Sequence, residues 1–459
     1  MQNTLNKKPL GLFALIMIAV VSVDSLRNLP ISAQYGFSLV TFYLIAGLTF
    51  FLPLTWVAGK LSANYPSTGG SYVWIEKAFG PAFGHLSIWL QWVYNIIWYP
   101  TIFAFINATL AAVIAPDLET DKWFILIASL GFFWLLTIIH CFGLKAVSWI
   151  STFGAIVGTL IPMLLMTLFA GYWLLLGNPS ATPFSWQALL PDAHSLKNLA
   201  FFSNILFSIL GLEIICMHAG NVINPKKTYP RALTLSAIII LFSIIVASVA
   251  LCVLLPANEI GLINGLTKVF DTFFQAYHIP FSAKVVDVCI IIGGLAIASS
   301  WMIGLARGLH VALTSINAPA WLLKCNRREM PARVLLTQAI VYSIILCAFL
   351  LFPNINSSYW VLSALTSQFA LLYYVLLFIA ANKLLRQLPQ NTFGKILTVL
   401  FPLIACSICV CGIIAGFLSP EQIPADGVIK YETIMIGSFC LMIFLPILLI
   451  NNKRRKSKQ

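Results

Sequence analysis

Apolar runs alternate along the chain with short charged or Pro/Gly-rich breaks, at a spacing that suits helices crossing a membrane. The runs predict spans at 10–34, 38–63, 82–114, 122–141, 149–176, 199–222, 231–255, 283–312, 332–352, 358–385, 394–418 and 430–450. Each reaches the roughly 20 helical residues that a bilayer core requires. Two shorter stretches, 67–80 and 260–278, mix polar and apolar positions as a helix lying on the membrane or capping a vestibule would. A plain loop also fits that pattern.

Composition turns the pattern into a fold class. Of 459 residues, 60% are apolar and 9% charged, where a soluble domain carries about 25% charge. A water-soluble enzyme is excluded, and the expected fold is an all-α integral membrane protein of about 12 transmembrane helices. A net charge of +13 would suggest nucleic acid in a soluble chain. Here it reports topology. With both ends cytoplasmic, most Lys and Arg fall inward, Lys122, Lys197, Lys268, Lys284 and Lys430 fall outward, and Arg27 and Arg307 lie inside spans. The reading is a multi-pass protein of a bacterial inner membrane, partnered by the lipid bilayer and not by nucleic acid, with cytoplasmic tails at 1–9 and 451–459.

Lys7 and Lys8 ahead of the first run imitate a secretory leader, but no small-residue cleavage pattern follows. Most cysteines sit inside apolar runs, with Cys325 in a basic loop, so no disulfide framework is expected. Cys406-Ser-Ile-Cys409 has a redox spacing yet lies mid-span without a polar partner. The histidines at 85, 140, 194, 218, 278 and 310 form no His-Glu-x-x-His or His-x-x-x-Asp arrangement, and neither a cofactor nor a metal is expected. A membrane enzyme is therefore disfavoured, and so is a channel, since no filter or charged ring is visible.

Two spans are interrupted. The first carries Val21-Ser-Val-Asp24-Ser-Leu-Arg27-Asn28-Leu-Pro30, and the sixth carries Ser208-Ile-Leu-Gly211-Leu-Glu213, followed by His218 and Asn224-Pro225. Proline removes a backbone donor and pushes its predecessor out of helical geometry. Irregular backbone at membrane depth survives only where protein or a water-filled cavity satisfies it, so two such breaks imply a cavity. Corresponding breaks in two halves point to a transporter built from inverted repeats, here spans one to five and six to ten. Half-helix N-termini suit a carboxylate and half-helix C-termini an ammonium group, which together describe an amino acid.

Four stretches then become familiar together: Pro30 with Gly36-Phe-Ser-Leu-Val; Ala63-Asn-Tyr-Pro66-Ser-Thr-Gly69-Gly70-Ser-Tyr72; Gly211-Leu-Glu213 through His218 to Asn224-Pro225 and Pro230-Arg231-Ala; and Ser300-Trp301-Met-Ile-Gly304-Leu-Ala-Arg307-Gly308. In them the chain resembles the amino acid–polyamine–organocation transporter superfamily, and within it the bacterial glutamate/GABA antiporters. The resemblance implies a five-plus-five inverted-repeat fold with helices 1 and 6 broken. The first repeat would cover 10–190, the second 191–388, with two further helices in 389–450. It also implies exchange or proton-coupled permeation of amino acids or related amines by alternating access.

Carried over residue by residue, the resemblance sets the substrate carboxylate against Val23, Asp24 and Ser25. It sets the amino group against carbonyls at Phe207, Ile209 or Leu210, with the Phe207 ring closing over the substrate. The chain departs from the family at 23–25, where many relatives have Gly-Ser-Gly, at Arg27, where the subgroup tends to have tyrosine, and at Ile297, where it tends to have a carboxylate. Asp24 would repel a carboxylate unless it is protonated, neutralised by Arg27, or turned to the ammonium end.

The individual residues keep alternatives open. A mid-membrane guanidinium costs about 3 kcal/mol or more unless paired, and Asp24 and Glu213 are the available partners of Arg27. The cation either holds the break open in an ion pair or contacts substrate. Glu213 resembles the family's gating glutamate, and a helix-end cap is the plainer reading. His218 is a pH-sensitive partner for it or a locally satisfied side chain. Ser299 and Ser300 stand where sodium-coupled members of the fold place hydroxyl ligands, although small residues also simply pack helices. A sodium-coupled symporter is the runner-up, and the oligomeric state stays open.

Overall fold

In the computed structural model, the first apolar run splits in two, α1 (Leu12–Val23) and α2 (Asn28–Ala33). The structure describes residues 11–66, 70–143, 152–191, 197–222, 224–278, 281–315, 318–347, 355–418, 429 and 431–441. Of 197–200, 217–221, 258 and 281 it describes the backbone alone. After α2 follow α3 (Ser38–Asn64), α4 (Ser71–Phe79), α5 (Pro81–Ile114), α6 (Lys122–Cys141) and α7 (Thr152–Leu175). The second part holds α8 (Lys197–Ser208), α9 (Pro225–Leu254), α10 (Gly265–Ala276), α11 (Phe281–Ser315), α12 (Ala332–Leu346), α13 (Ile355–Leu385), α14 (Thr392–Ala415) and α15 (Tyr431–Leu441). Eight of these helices are long and apolar enough to cross a membrane, and four shorter apolar ones include α1, α12 and α15. The protein is an all-α, multi-pass membrane protein of about twelve spans.

Helix ends follow local chemistry. Pro81 begins α5 directly after Gly80, whose φ of 89° a side chain would disfavour. Asp121 caps α6 by accepting the Phe124 N–H, and Asn391 caps α14 by accepting that of Gly394. Burial sorts the spans into layers. The hydrophobic window of α5 is 89% buried and that of α14 only 28%, so α5 is a central post and α14 a lipid-facing one. Helices α11 and α13 pack along α5. One close approach is made without side chains: a β-carbon on Gly158 would lie 2.2 Å from the Gly293 nitrogen, which brings a π-helical turn of α7 into backbone contact with α11.

The two shorter stretches are helices folded onto the protein. In α10, Leu266, Val269, Phe270 and Phe273 are buried, and the Phe273 ring stacks on Phe169 of α7 at 4.0 Å. This helix packs on α2, α9 and α11 as a cap. Helix α4 buries Trp74 and Ile75 against α5 and α13 and accepts the Tyr373 hydroxyl on Ser71 Oγ.

Candidate functional site

The first break is made by four residues. Asp24 ends α1 with its N–H on the Val20 carbonyl and an extended ψ of 101°, and the chain turns through Leu26 and Arg27 before Asn28 starts α2. The second break follows Ser208. Gly211 takes φ +102°, in the left-handed region that favours glycine, and a 3₁₀ segment then runs Leu212–Asn221. Trp301 of α11 joins the two. Its indole N–H donates to the Ser22 carbonyl at 3.0 Å, satisfying an end of α1, while its ring lies where a β-carbon on residue 211 would come within 2.7 Å.

Between the breaks lies a cavity of about 40 Å³. Ser22, Val23, Ser25, Arg27 and Asn28 line it from the first break, and Phe207, Ser208 and Leu210 from the second. Tyr94, Asn95 and Trp98 of α5 and Ile297 and Trp301 of α11 complete the wall. At about 10–15 Å³ per water this is room for roughly three waters. The site is nearly shut, and an amino acid must spread its walls. Three buried polar atoms of the lining residues have no hydrogen-bond partner: Ser25 Oγ, Arg27 Nε and the Tyr94 hydroxyl.

Arg27 is 1% exposed and pairs with neither carboxylate expected for it. Its Nη1 donates to Thr101 Oγ1 at 2.7 Å and its Nη2 to Asn28 Oδ1 at 3.1 Å. The rings of Tyr359, Phe207 and Trp98 surround the guanidinium carbon at 5.4, 5.6 and 5.9 Å. Two bonds to a charged donor, at about 1.5 kcal/mol or more each, and three ring faces, at about 0.5–2 kcal/mol each, are enough to hold the cation in place. They do so without neutralising it. Asp24 turns away: it is fully buried, it is not part of the cavity wall, and its Oδ2 accepts a bond from Ser243 of α9 at 2.6 Å. Ile209 is likewise buried outside the wall.

Glu213 is 1% exposed, and its Oε2 accepts the Tyr374 hydroxyl of α13 at 2.7 Å. The same hydroxyl accepts the Gly211 N–H at 2.8 Å, so one side chain secures both the backbone and the carboxylate of the second break. Tyr43 of α3 performs a similar task, standing 2.8 Å from Ser32 Oγ on α2 and 3.0 Å from Ser208 Oγ. The side chain of His218 lies outside the described residues. Ser299 Oγ stands 2.8 Å from His140 Nε2 of α6, and Ser300 Oγ donates to the Ala296 carbonyl. Among the described residues, no group of three His, Cys, Asp or Glu side chains is gathered for a metal.

Sequence reasoning placed Val23, Ser25, Arg27, Phe207 and Leu210 at the breaks, and the structure brings them to one cavity. It missed Thr101, Ser243 and Tyr359 as partners of the break residues. Thr101 follows Pro100 inside an otherwise apolar stretch of α5, the one hint available for it.

A model of the amino acid permease family matches residues 10–454. An uncharacterized transporter of Legionella pneumophila is 41% identical, over 96% of each chain. A glutamate/gamma-aminobutyrate antiporter of Lactococcus lactis is 26% identical, over 98% of this chain and 92% of its own. A probable agmatine/putrescine antiporter of the same species is 25% identical, over 84% and 81%. A match across nearly the whole chain, on a fold with a cavity between two broken membrane helices, shows that this protein belongs to the amino acid permease family and is a secondary transporter.

Proposed function

We propose that the protein exchanges amino acids across a bacterial inner membrane, both termini cytoplasmic, and that Arg27 receives a carboxylate of the substrate. The observation that carries this reading is a buried guanidinium with an unfilled Nε on a cavity wall, caged only by neutral groups. An anion at about 4 Å from it gains roughly 4 kcal/mol at the effective dielectric of a protein site. Val23 and Ser25 support the carboxylate end, and Phe207 and Leu210 flank the amino end, at the C-terminal end of α8. Glu213 acts as a gate through Tyr374. Residues 10–190 and 191–388 form the two repeats that rock about the cavity, and 389–450 add two supporting spans. The glutamate/gamma-aminobutyrate and amine relatives frame the choice of substrate, and an uncompensated cation in the wall favours carboxylate-bearing amino acids over diamines.

Counterflow in proteoliposomes tests this. Vesicles loaded with an unlabelled amino acid mixture are expected to accumulate labelled carboxylate-bearing amino acids without a sodium gradient. Accumulation of putrescine or agmatine with none of any amino acid would overturn the assignment.

A further inference from the structure

Asp24 is a carboxyl group at the C-terminal end of α1, on the negative pole of the helix, with no exposed surface. Its surroundings are asymmetric. Oδ1 has no hydrogen-bond partner, and Oδ2 has one, Ser243 Oγ at 2.6 Å. Ser243 Oγ in turn stands 2.8 Å from the Ile239 carbonyl and 3.0 Å from that of Ile240. A hydroxyl has a single hydrogen to give.

If Asp24 were ionised, that hydrogen would have to turn to it, leaving a buried anion with one bond and one bare oxygen, a costly arrangement. If Asp24 carries the proton on Oδ2, it donates to Ser243, and Ser243 donates onward to Ile239. The chain of bonds then closes with every hydrogen used. The charged and titratable neighbours do not alter this. Arg27 turns its Nη1 and Nη2 to Thr101 and Asn28 and makes no ion pair with Asp24, Glu213 bonds Tyr374, and Tyr43 of α3, which faces Asp24, sits between Ser32 and Ser208. Helix α9 brings Ser243 to this contact.

We propose that Asp24 is a proton-binding site, and that its neutral form bonded to Ser243 is what locks the first break against α9 in the closed state. In the cycle, the proton joins Asp24 from water on the side where the break opens, is enclosed with the substrate, and leaves to water on the opposite side. No other bond is made or broken. The assignment goes beyond the substrate reading, since it concerns the opposite face of the break.

Two measurements on the purified, reconstituted full chain decide it. Infrared difference spectra of the wild type against Asp24→Asn are expected to contain the carbonyl band of a neutral carboxylic acid, moved by deuterium oxide and shifted in Ser243→Ala. No substrate is needed, so this arm stands or falls independently of the Arg27 assignment. In counterflow, the wild-type rate is expected to fall about tenfold per pH unit on its alkaline limb, as a single required proton dictates, and Asp24→Asn is expected to lose that limb. Asparagine keeps a donor for Ser243, so the break can still close. A difference spectrum without the acid band, or an alkaline limb unchanged in Asp24→Asn, would overturn the proposal.

Discussion

Tyr374 and Glu213 are joined across spans ten and six by a 2.7 Å hydrogen bond, and the same tyrosine oxygen accepts the N–H of Gly211 at 2.8 Å. One hydroxyl therefore fixes the position of the second break relative to α13. Replacing it with hydrogen in Tyr374→Phe leaves the buried Gly211 N–H without its partner and takes one donor from the Glu213 carboxylate, a loss of about 2–3 kcal/mol in whichever state contains the clasp. The expected outcome is an exchange rate changed by tenfold or more with substrate affinity altered by less than threefold. Initial rates across a substrate series check it, and an affinity loss without a rate change would assign Tyr374 to the substrate instead.

Arg27 is held by a planar fork, with Nη1 on Thr101 and Nη2 on Asn28. Lysine cannot reproduce two divergent donors, so Arg27→Lys is not conservative here. Binding of carboxylate-bearing amino acids is expected to weaken about a hundredfold or more in Arg27→Gln and by a comparable factor in Arg27→Lys. Thr101→Val, which frees only one arm, is expected to cost about tenfold. Isothermal binding in detergent separates these effects from turnover. Equal affinities in Arg27→Gln and the wild type would remove the guanidinium from the substrate.

Much of this site is legible in the amino-acid sequence, and the reason is energetic. Charges inside an apolar run are expensive, so Asp24, Arg27 and Glu213 announced the breaks, and Gly211 announced how the backbone leaves the helix at the second. Pro30 did not do so at the first: Leu29, expected outside helical geometry, is helical, and Pro30 sits in the first turn of α2, where its missing N–H has no intrahelical partner to lose. What a charge turns toward was not legible. Ser243 lies 219 residues from Asp24 and Thr101 lies 74 from Arg27, and both are ordinary helix residues whose side chains could as well bond their own backbone. The alternative in which Arg27 pairs with Asp24 or Glu213 failed for that reason: each charge turns instead to a polar neighbour delivered by α5, α9 or α13. Trp301 was part of a familiar stretch, but its bond to Ser22 and its contact with Gly211 needed three helices at once.

Glu119, in the loop between the third and fourth spans, accepts a hydrogen bond from Asn264 Nδ2 at 2.8 Å, which ties that loop to the start of α10. Burial holds the Glu119 carboxyl above its ordinary value, against the lowering effect of that bond. A carboxylate raised in the folded state favours the fold when protonated, so its contribution is lost as pH rises through the folded value. Thermal stability of the purified protein is expected to decline as pH rises above the usual carboxylate range, and less steeply in Glu119→Gln. An identical slope in the variant would assign the decline elsewhere.

Where α7 meets α11, the backbones touch at Gly158 and Gly293: a β-carbon on Gly158 would stand 2.2 Å from the Gly293 nitrogen, and one on Gly293 would stand 2.3 Å from the Gly158 oxygen. Neither partner is a side chain that can rotate aside, so each added methyl must push two helices apart, and overpacking of this kind costs about 1–3 kcal/mol or more. Gly158→Ala and Gly293→Ala are expected to lower the unfolding temperature and the yield of folded protein. Gly131 of α6 provides the control, since a β-carbon there meets nothing within 4 Å, and alanine is the better helix former by about 1 kcal/mol. Gly131→Ala should match or exceed the wild type in the same assay. Because α11 also carries Trp301 to both breaks, the two tight variants are expected to lose transport even where folded protein is recovered. Normal transport by folded Gly158→Ala would show that the seam between α7 and α11 does not position the site.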